Sequence, residues 1–272
     1  MRVVFVGGGN MGRALAGGLI EEGRDPATII VVEIDPSARE RLQRELGVRA
    51  VADSIDADAA GAEAIVLAVK PQSMQDTVRA LAPHVGRALI VSIAAGIRLE
   101  DLSRWLNGYT RLVRAMPNTP ALIRRGITGL YARPGVSDDE RHVAEDILGA
   151  VGETIWCERE DQIDAITAVS GSGPAYMFYF LESMIAAAEA LGFTPDESRR
   201  LAYATASGAI ALAQQSAETP EVLRAQVTSK GGTTEAALAT LHRLDVKAAF
   251  IEAIRNADAR AQELGQSLGK DH

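Results

Sequence analysis

The sequence has few of the residues that form disulfide bonds in secreted proteins or bind metals. Among its 272 residues there are one cysteine, Cys157, and four histidines. A single cysteine cannot form an internal disulfide, so the composition fits a reducing cytoplasm, where we expect the protein to work. We expect Cys157 to be a buried small residue rather than a nucleophile. Histidine, cysteine and carboxylate residues do not cluster at ligand spacing, so we predict no metal.

Long apolar runs and positive charge are also missing. A bilayer span needs about eighteen uncharged apolar residues in a row, and the apolar run at residues 3–6 is too short for a signal peptide. The formal net charge is −8 and the sequence pI is near 5.1. Because nucleic acids and anionic membranes need a basic face, we expect neither to be the main partner. Hydrophobic residues make up 47% of the chain, enough for one large or two medium domains.

The first twelve residues carry a dinucleotide-binding fingerprint. An apolar, β-branched run leads directly into Gly7, Gly9 and Gly12, which have the G-x-G-x-x-G spacing. The first glycine allows a tight strand-to-helix turn, the second lets a pyrophosphate approach the backbone, and the third lets the helix pack on the strand. We predict a helix from about residue 10 to residue 22, with Asn10 and Met11 beside the cofactor.

A second β-rich run, residues 29–33, leads into an acidic segment about twenty residues past the glycines, as the fingerprint expects. Asp35 is our candidate for the ribose contact. A carboxylate suits a free ribose 2′-hydroxyl better than a 2′-phosphate, which favours at least tolerance of NADH beside NADPH. Ser54 is a candidate contact on the adenosine side.

The pattern changes near residue 160. Before it, short apolar runs alternate with helical ones, which predicts a doubly wound α/β Rossmann domain with a mostly parallel sheet over residues 1–160. The predicted strands are residues 2–6, 29–33, 48–51, 64–69, 88–93, 111–116, 127–132 and 154–157. Residues 161–272 are predicted to form an all-α domain. Its predicted helices are residues 175–191, 195–215, 234–242 and 246–264.

The first of these helices is apolar on more than one side. Residues 175–188 contain one charged residue in fourteen. A helix that is apolar all round needs burial on all sides, and about a hundred residues do not easily enclose it. We therefore predict that the helical domain completes its core against a second subunit in an interlocked homodimer. A compact monomeric bundle is the alternative.

Ligands of an open α/β sheet bind beyond the carboxyl ends of the strands. Small residues and prolines follow three of the predicted strands there, and would form a smooth wall for a nicotinamide ring. The candidate cofactor contacts in these segments are Ala68, Val69, Lys70, Pro71, Ala94, Ala95, Gly96 and Asn118. Lys70 either faces phosphate or ribose or is simply solvated. Asn118 either hydrogen-bonds the nicotinamide carboxamide or only caps a Pro-bounded turn.

A second loop has the features of an anion site. Gly231 and Gly232 let the backbone approach a ligand, Thr233 or Thr234 can cap the next helix, and Glu235 lies in its first turn. A small carboxylate or a phosphate would fit there. A plain helix start after a Gly-rich turn is the alternative. Because residues 7–12 already account for the pyrophosphate, this loop is free for a substrate carboxylate.

Six segments together resemble the motif set of the pyrroline-5-carboxylate reductases. They are residues 7–12, 68–72, 92–96, 116–120, 169–176 and 227–238, and the last is the most specific. The resemblance covers nearly the whole chain. It implies reduction of 1-pyrroline-5-carboxylate to L-proline, the last step of proline biosynthesis, with NADPH or NADH. It also implies a Rossmann domain followed by a helical dimerisation domain, with dimers that often assemble into rings.

Carried over onto this chain, the resemblance implies a substrate site at the second loop. Ser229 and the backbone of the two glycines and two threonines that follow, Gly231, Gly232, Thr233 and Thr234, would hold the substrate carboxylate, and Thr234 would hydrogen-bond the ring nitrogen. Lys230 departs from the family, which commonly has proline there.

Two other functions remain as alternatives. The similarly organised β-hydroxyacid dehydrogenases use a lysine as acid and base for an alcohol. The corresponding place here, near Met177, is apolar. This disfavours a 2-hydroxy acid as the substrate, although another cyclic imine would fit the site. A catalytically silent NAD(P)-binding regulator would not need the hydroxyl-rich loop.

Overall fold

The computed structural model describes residues 1–53, 59 and 61–269. The chain forms two compact units. The first comprises Met1–Ser172 together with the C-terminal residues from Ala257 onward, and the second comprises Gly173–Asn256.

The first unit is built on an eight-stranded sheet. Its strands are β1 Val3–Val6, β2 Ile29–Val32, β3 Arg49–Val51, β4 Ala64–Leu67, β5 Leu89–Ser92, β6 Leu112–Met116, β7 Gly126–Ala132 and β8 Gly152–Trp156. Their spatial order is β3-β2-β1-β4-β5-β6-β7-β8. Strands β1 to β6 are mutually parallel, β7 is antiparallel to β6, and β8 is parallel to β7. The predicted fold class, a doubly wound and mostly parallel Rossmann sheet, is confirmed.

Helices cover both faces of this sheet. They are α1 Asn10–Glu21, α2 Pro36–Leu46, α3 Pro71–Leu81, α4 Leu99–Trp105, α5 Asp138–Gly149 and α6 Gln162–Ile166. Side chains of α1, α2 and α5 share one core with one face of the strands, and those of α3 and α4 share a second core with the other face. Strands β1, β2, β4 and β5 are buried at every residue, as parallel strands between two helical layers must be.

Helix α6 continues into one turn of π-helix, Thr167–Gly171. Such turns are rare and often occur at functional sites. Together, residues 160–171 are called the return segment below. The segment follows β8, and α6 within it packs on β6 and β7.

The second unit is helical. It contains α7 Gly173–Ala190, α8 Pro195–Gln215, α9 Pro220–Gln226, α10 Thr233–Arg243 and the first part of α11 Val246–Leu268. The predicted helices are present, and α9 is an additional one. Helix α8 begins with a capping box formed by Thr194 and Glu197, with Pro195 at its first position.

Helix α7 presents its apolar side chains to solvent in the single chain. Phe178 is 59% exposed and Tyr179 is 68% exposed. A contiguous apolar surface of this kind marks an interaction site. Within residues 1–53, 59 and 61–269, no helix combines the length and the apolar character needed to cross a bilayer.

Candidate active site

A cleft of about 530 Å³ opens at the carboxyl ends of β1, β2 and β4. Strand β1 has β2 on one side and β4 on the other, so the cleft lies where the strand order reverses, the usual ligand position in open α/β sheets. Its lining residues are Val6, Gly7, Gly9, Val32, Glu33, Ile34, Ala52, Asp53, Ala68, Val69, Lys70, Ser73 and Thr77. Five of the predicted cofactor contacts are among them. We call this space the β1 cleft.

The three predicted glycines have distinct geometries at the β1 cleft. Gly7 has a φ of +110°, which favours glycine. A Cβ on Gly12 would collide with the carbonyl oxygen of Gly7. A Cβ on Gly9 would meet no atom of the described residues within 4 Å, so this position is open for a ligand. Gly9 is the N-cap of α1, and Asn10 and Met11 are its first two residues. The arrangement fits a pyrophosphate at a helix N-terminus.

Of the two acidic residues that follow β2, Glu33 lines the β1 cleft and Asp35 is not among the lining residues; Asp53 also lines it. Its carboxylate accepts hydrogen bonds from the N–H of Gly8 at 2.8 Å and of Asp35 at 2.9 Å. Asp35 itself is the N-cap of α2, where its carboxylate accepts from the N–H of Ser37 at 2.7 Å. The sequence analysis did not select Glu33, although its position directly after β2 was the signal.

Asp35 is strongly held in its capping role. The hydroxyl of Ser37 donates to its carboxylate, and this bond, followed by those from the N–H groups of Ala38 and Ser37, lowers the pKa of Asp35. Arg39 lies behind the same turn, where its Nη1 donates to the carbonyls of Glu33 at 2.7 Å and Ile34 at 2.9 Å. Charges of both signs therefore surround the turn after β2. Ser54 lies outside the described residues.

The predicted contacts after β4 lie at the rim of the β1 cleft. Lys70 is exposed, lines the cleft and is the N-cap of α3, while Pro71 takes the first helical position. An exposed lysine at the rim of the cleft is compatible with both interpretations of Lys70, and its contact with phosphate or ribose stays a prediction.

The predicted contacts after β5 and β6 lie next along the same sheet edge. Ala94 and Gly96 are buried and Ala95 is half-buried, and Gly96 has a φ of +73°. Asn118 is also buried: its Oδ1 accepts from the N–H of Ile127 at 2.9 Å, and its Nδ2 donates to the carbonyl of Ser170 at 3.2 Å. Asn118 is the N-cap of the 3-10 turn Thr119–Ile123, but its side chain makes no capping bond, because both of its polar atoms bond to other segments. A bond to the nicotinamide carboxamide stays a prediction.

Cys157 is half-buried. Desolvation raises the pKa of its thiol, so the reactive thiolate is disfavoured at neutral pH. The prediction that Cys157 is buried is therefore met only in part, while the raised pKa of its thiol disfavours a nucleophilic role.

In the second unit, Gly232 is the N-cap of α10, and Thr233 and Thr234 are its first two residues. The prediction that one of the threonines caps this helix is therefore wrong, because α10 begins earlier. The backbone N–H groups of a helix's first turn lack intrahelical partners, so Thr233, Thr234 and Glu235 offer donors to an anion.

The turn before α10 brings the predicted substrate residues together. Gly231 has a φ of +75°, and its N–H donates to the carboxylate of Glu235 at 2.6 Å. The N–H of Gly232 donates to the carbonyl of Ser229 at 3.0 Å. A Cβ on Gly232 would lie 2.5 Å from the Ser229 hydroxyl, so a larger residue there would force this hydroxyl to rotate away. Lys230 is exposed beside them. We call residues 229–235 the hydroxyl turn.

Comparison with known proteins gives one family for the whole chain. The family model described as pyrroline-5-carboxylate reductase dimerisation matches residues 160–264. The model described as NADP oxidoreductase coenzyme F420-dependent matches residues 2–96. The pyrroline-5-carboxylate reductase of Pseudomonas aeruginosa is 42% identical over 99% of this chain and 98% of the relative. That of Haemophilus influenzae is 40% identical over 96% and 97%.

Solved structures agree. A pyrroline-5-carboxylate reductase from Coxiella burnetii superposes with a TM-score of 0.91 at 39% identity, covering 97% of this chain and 98% of that one. The Plasmodium falciparum pyrroline carboxylate reductase, solved with NADP bound, has a TM-score of 0.86 at 26% identity and the same coverage.

A dinucleotide cleft at the switch point of a Rossmann sheet, followed by a helical unit, defines the class of nicotinamide-dependent oxidoreductases with a separate α-helical domain. The alignment with the Pseudomonas relative, at 42% identity, covers nearly the whole length of both chains. The chain belongs to the pyrroline-5-carboxylate reductase family.

Proposed function

We propose that this chain reduces 1-pyrroline-5-carboxylate to L-proline, the last step of proline biosynthesis, with NADPH or NADH as the reductant. The observation that carries the proposal is the presence, in a member of this family, of both the β1 cleft and an intact hydroxyl turn. The imine nitrogen carries a proton, and a hydride adds to the imine carbon, so the C=N bond becomes a C–N single bond. The bound nicotinamide supplies that hydride.

The residues of the β1 cleft fit a dinucleotide. Gly7, Gly9 and Gly12, with Asn10 and Met11 at the start of α1, would hold the pyrophosphate on the helix N-terminus. The open space at Gly9 supports this assignment. Ala68, Val69, Lys70 and Pro71 would border the cofactor beyond β4, and Ala94, Ala95, Gly96 and Asn118 would flank its nicotinamide end. Glu33 would face the adenosine ribose, with Asp35 two residues further along the same turn.

The hydroxyl turn fits a small carboxylate. The N–H groups at the start of α10 and the Ser229 hydroxyl would hold the substrate carboxylate, with Gly231 and Gly232 allowing its close approach. The Thr234 hydroxyl would accept a hydrogen bond from the protonated ring nitrogen. Because the protonated imine is already electrophilic, the chain mainly has to hold two reactants in line, and a strong general base is unnecessary. Lys230 would add a positive charge near an anionic substrate, although it is free to point to solvent.

The assembly we propose is a homodimer in the cytoplasm, with dimers joining into rings. The exposed apolar face of α7 supports the dimer. Residues 161–272 would form the dimerisation and substrate domain, and residues 1–160 the dinucleotide domain. Mass measurement in solution distinguishes one chain of 28.8 kDa from a dimer and from a larger ring.

The direct test is turnover by the purified chain. With 1-pyrroline-5-carboxylate and NADPH or NADH, nicotinamide absorbance should fall and L-proline should form. A different cyclic imine and a 2-oxo acid serve as comparison substrates. Faster turnover of either one would favour the alternative reductase. Cofactor binding without turnover of any substrate would favour a silent regulator.

A further inference from the structure

A buried ion pair joins β6 to the return segment. Arg114 on β6 and Asp164 on α6 are each 1% exposed, and Nη2 of Arg114 donates to Oδ1 of Asp164 at 2.6 Å. A second arginine, Arg98, places its Nη2 4.0 Å from Oδ2 of the same carboxylate. Burying such charges costs desolvation energy that their attraction often only balances, so stability alone is a weak reason for this arrangement.

The two arginines stand beside the two segments assigned to the nicotinamide end. Arg98 lies two residues after Gly96, in the loop that follows β5. Arg114 lies two residues before Met116, where β6 ends and the Asn118 segment begins. Asp164 therefore faces one arginine beside the Gly96 segment and one arginine beside the Asn118 segment.

Other residues of the return segment contact the same two loops. Glu160 accepts from the N–H of Leu99 at 2.7 Å and lies 3.5 Å from Nη1 of Arg114. At the far end of the segment, the carbonyl of Ser170 accepts from Asn118 at 3.2 Å. A Cβ on Gly171 would lie 2.9 Å from Cε of Met116, which indicates tight packing. One short segment thus holds the loop after β5 and the loop after β6.

The strand directions explain how the return segment reaches the loops after β5 and β6. Since β7 is antiparallel to β6 and β8 is parallel to β7, β8 runs away from the sheet edge at which the β1 cleft opens, and its last residue, Trp156, lies level with Leu130 and Ala115. The return segment crosses β6 and β7 and brings the chain back to the edge where the two loops lie. The return segment follows both loops in the sequence and contacts each of them.

We propose that Asp164 is a positioning residue that fixes the separation of the Gly96 and Asn118 segments, and through them the orientation of the nicotinamide ring for hydride transfer. The inference rests on the proposed placement of the nicotinamide end at these segments. Asp164 acts through its two arginines and does not touch the reactants.

The test is Asp164→Asn in the full-length chain, which keeps the side-chain shape and removes the charge. We expect kcat to fall about tenfold or more, because small misplacements of reactants have large rate effects. The kinetic isotope effect with 4-deuterated NADPH should rise as hydride transfer becomes more rate-limiting. The dissociation constant of NADP⁺, set largely at residues 7–12, should change less than about twofold.

A matched control lies near the other end of β6. Arg111 and Glu140 form an ion pair there, and Glu140→Gln removes one charge while glutamine can still complete the capping box of α5. This variant should keep wild-type kcat and isotope effect. If Asp164→Asn lowers the melting temperature but matches Glu140→Gln in both kinetic readouts, the positioning role is overturned.

Two further variants keep the inference testable. If Asp164→Asn does not fold, Arg98→Gln replaces it, because this side chain is 41% exposed and tolerates change. It should shift kcat and the isotope effect in the same direction, and unchanged values would overturn the inference. Ala95→Leu tests the underlying placement. If it leaves cofactor binding and turnover intact, the nicotinamide assignment fails. If it impairs them while Asp164→Asn is normal, only the positioning role fails.

Discussion

The two units differ in how far a single chain can complete its core. In the first, four strands are buried at every residue between two helical layers. In the second, every residue of the apolar helix α7 is at least partly exposed. Apolar sequence predicts burial in both units, but only the first supplies the covering layers from its own chain. The difference teaches that the β1 cleft belongs to a self-sufficient unit, while the helical unit depends on a partner.

The substitution with the largest expected effect should weaken dimer association through the second unit and leave cofactor binding at the first unit unchanged. Phe178→Glu places a charge on the exposed face of α7 and should weaken dimer association by about 100-fold or more, as loss of a hot-spot aromatic does. Turnover should fall with the dimer, whereas NADP⁺ affinity at the first unit should change little. Sedimentation velocity and fluorescence titration measure the two effects. Ile123→Glu, at a 71% exposed site in the first unit, is the control. A variant at Phe178 that remains dimeric would contradict the comparison.

The next effect is confined to the first unit. In Gly12→Ala the new methyl group collides with the carbonyl of Gly7, so the glycine loop must shift. We expect NADPH to bind about 10- to 100-fold more weakly, which corresponds to local backbone strain of about 1–3 kcal/mol. The dimer should persist. Gly17→Ala on the same helix is the control, because its Cβ would lie an ordinary 3.4 Å from Leu46. Equal NADPH affinity of the two variants would show that the loop tolerates the methyl group.

A smaller effect is expected at the hydroxyl turn. Thr234→Ala should lower kcat about tenfold through loss of one hydrogen bond to a charged nitrogen. The dissociation constant of the cofactor should not change, since the residue lies in the other unit. Thr240→Ala is the control, because its hydroxyl donates to the carbonyl of Ala236 within the same helix. Steady-state kinetics and equilibrium titration check both, and wild-type kinetics in Thr234→Ala would refute the assigned role.

The smallest effect concerns cofactor choice. Serine also caps helices, so Asp35→Ser should keep α2 intact while removing a charge near the ribose. The NADPH to NADH ratio of kcat/KM should rise about 2- to 5-fold, as expected for an exposed charge. Asp25→Ser, at another capping aspartate, should leave the ratio unchanged.

The pH dependence of that effect follows from the lowered pKa of Asp35. The hydrogen bond from Ser37 favours the ionised form, so this stabilisation is fully present above the ordinary pKa of 3.8 and is lost as pH falls through the lowered value. The change in this ratio between the wild-type chain and Asp35→Ser should therefore be constant between about pH 6 and pH 8. If this change in the ratio varied with pH over that range, a group other than Asp35 would be responsible for it.

Much of the fold was predictable because its signals are local. Strand runs rich in β-branched residues, such as the one that forms β4, and helix starts such as Pro195 behind Thr194 are visible within a few residues. Whether β7 runs parallel or antiparallel to β6 was not predictable, since an apolar run carries no information about strand direction. Helix α9 was missed because seven residues give too little periodicity, although Thr219 and Pro220 marked its start.

The candidate site was predictable to the extent that backbone chemistry defines it. Local geometry favours glycine at Gly7 and Gly231, which have positive φ, and at Gly12, where a Cβ would collide with a carbonyl. Glu33 was passed over for Asp35 because sequence does not show which of two nearby acids caps the helix. The pairing of Arg114 with Asp164, fifty residues apart, depends on how the return segment crosses the sheet. Sequence patterns carry no signal for such a contact.

The antiparallel course of β7 also offers a practical attachment point. Its carboxyl end, Ala132, pairs with Val113 near the start of β6, so the following turn lies at the sheet edge away from the β1 cleft. Gly135 in that turn has a φ of +100°, and a Cβ there would meet no described atom within 4 Å. A fluorophore or a short peptide tag inserted beside it would report on the protein from the sheet edge opposite the β1 cleft.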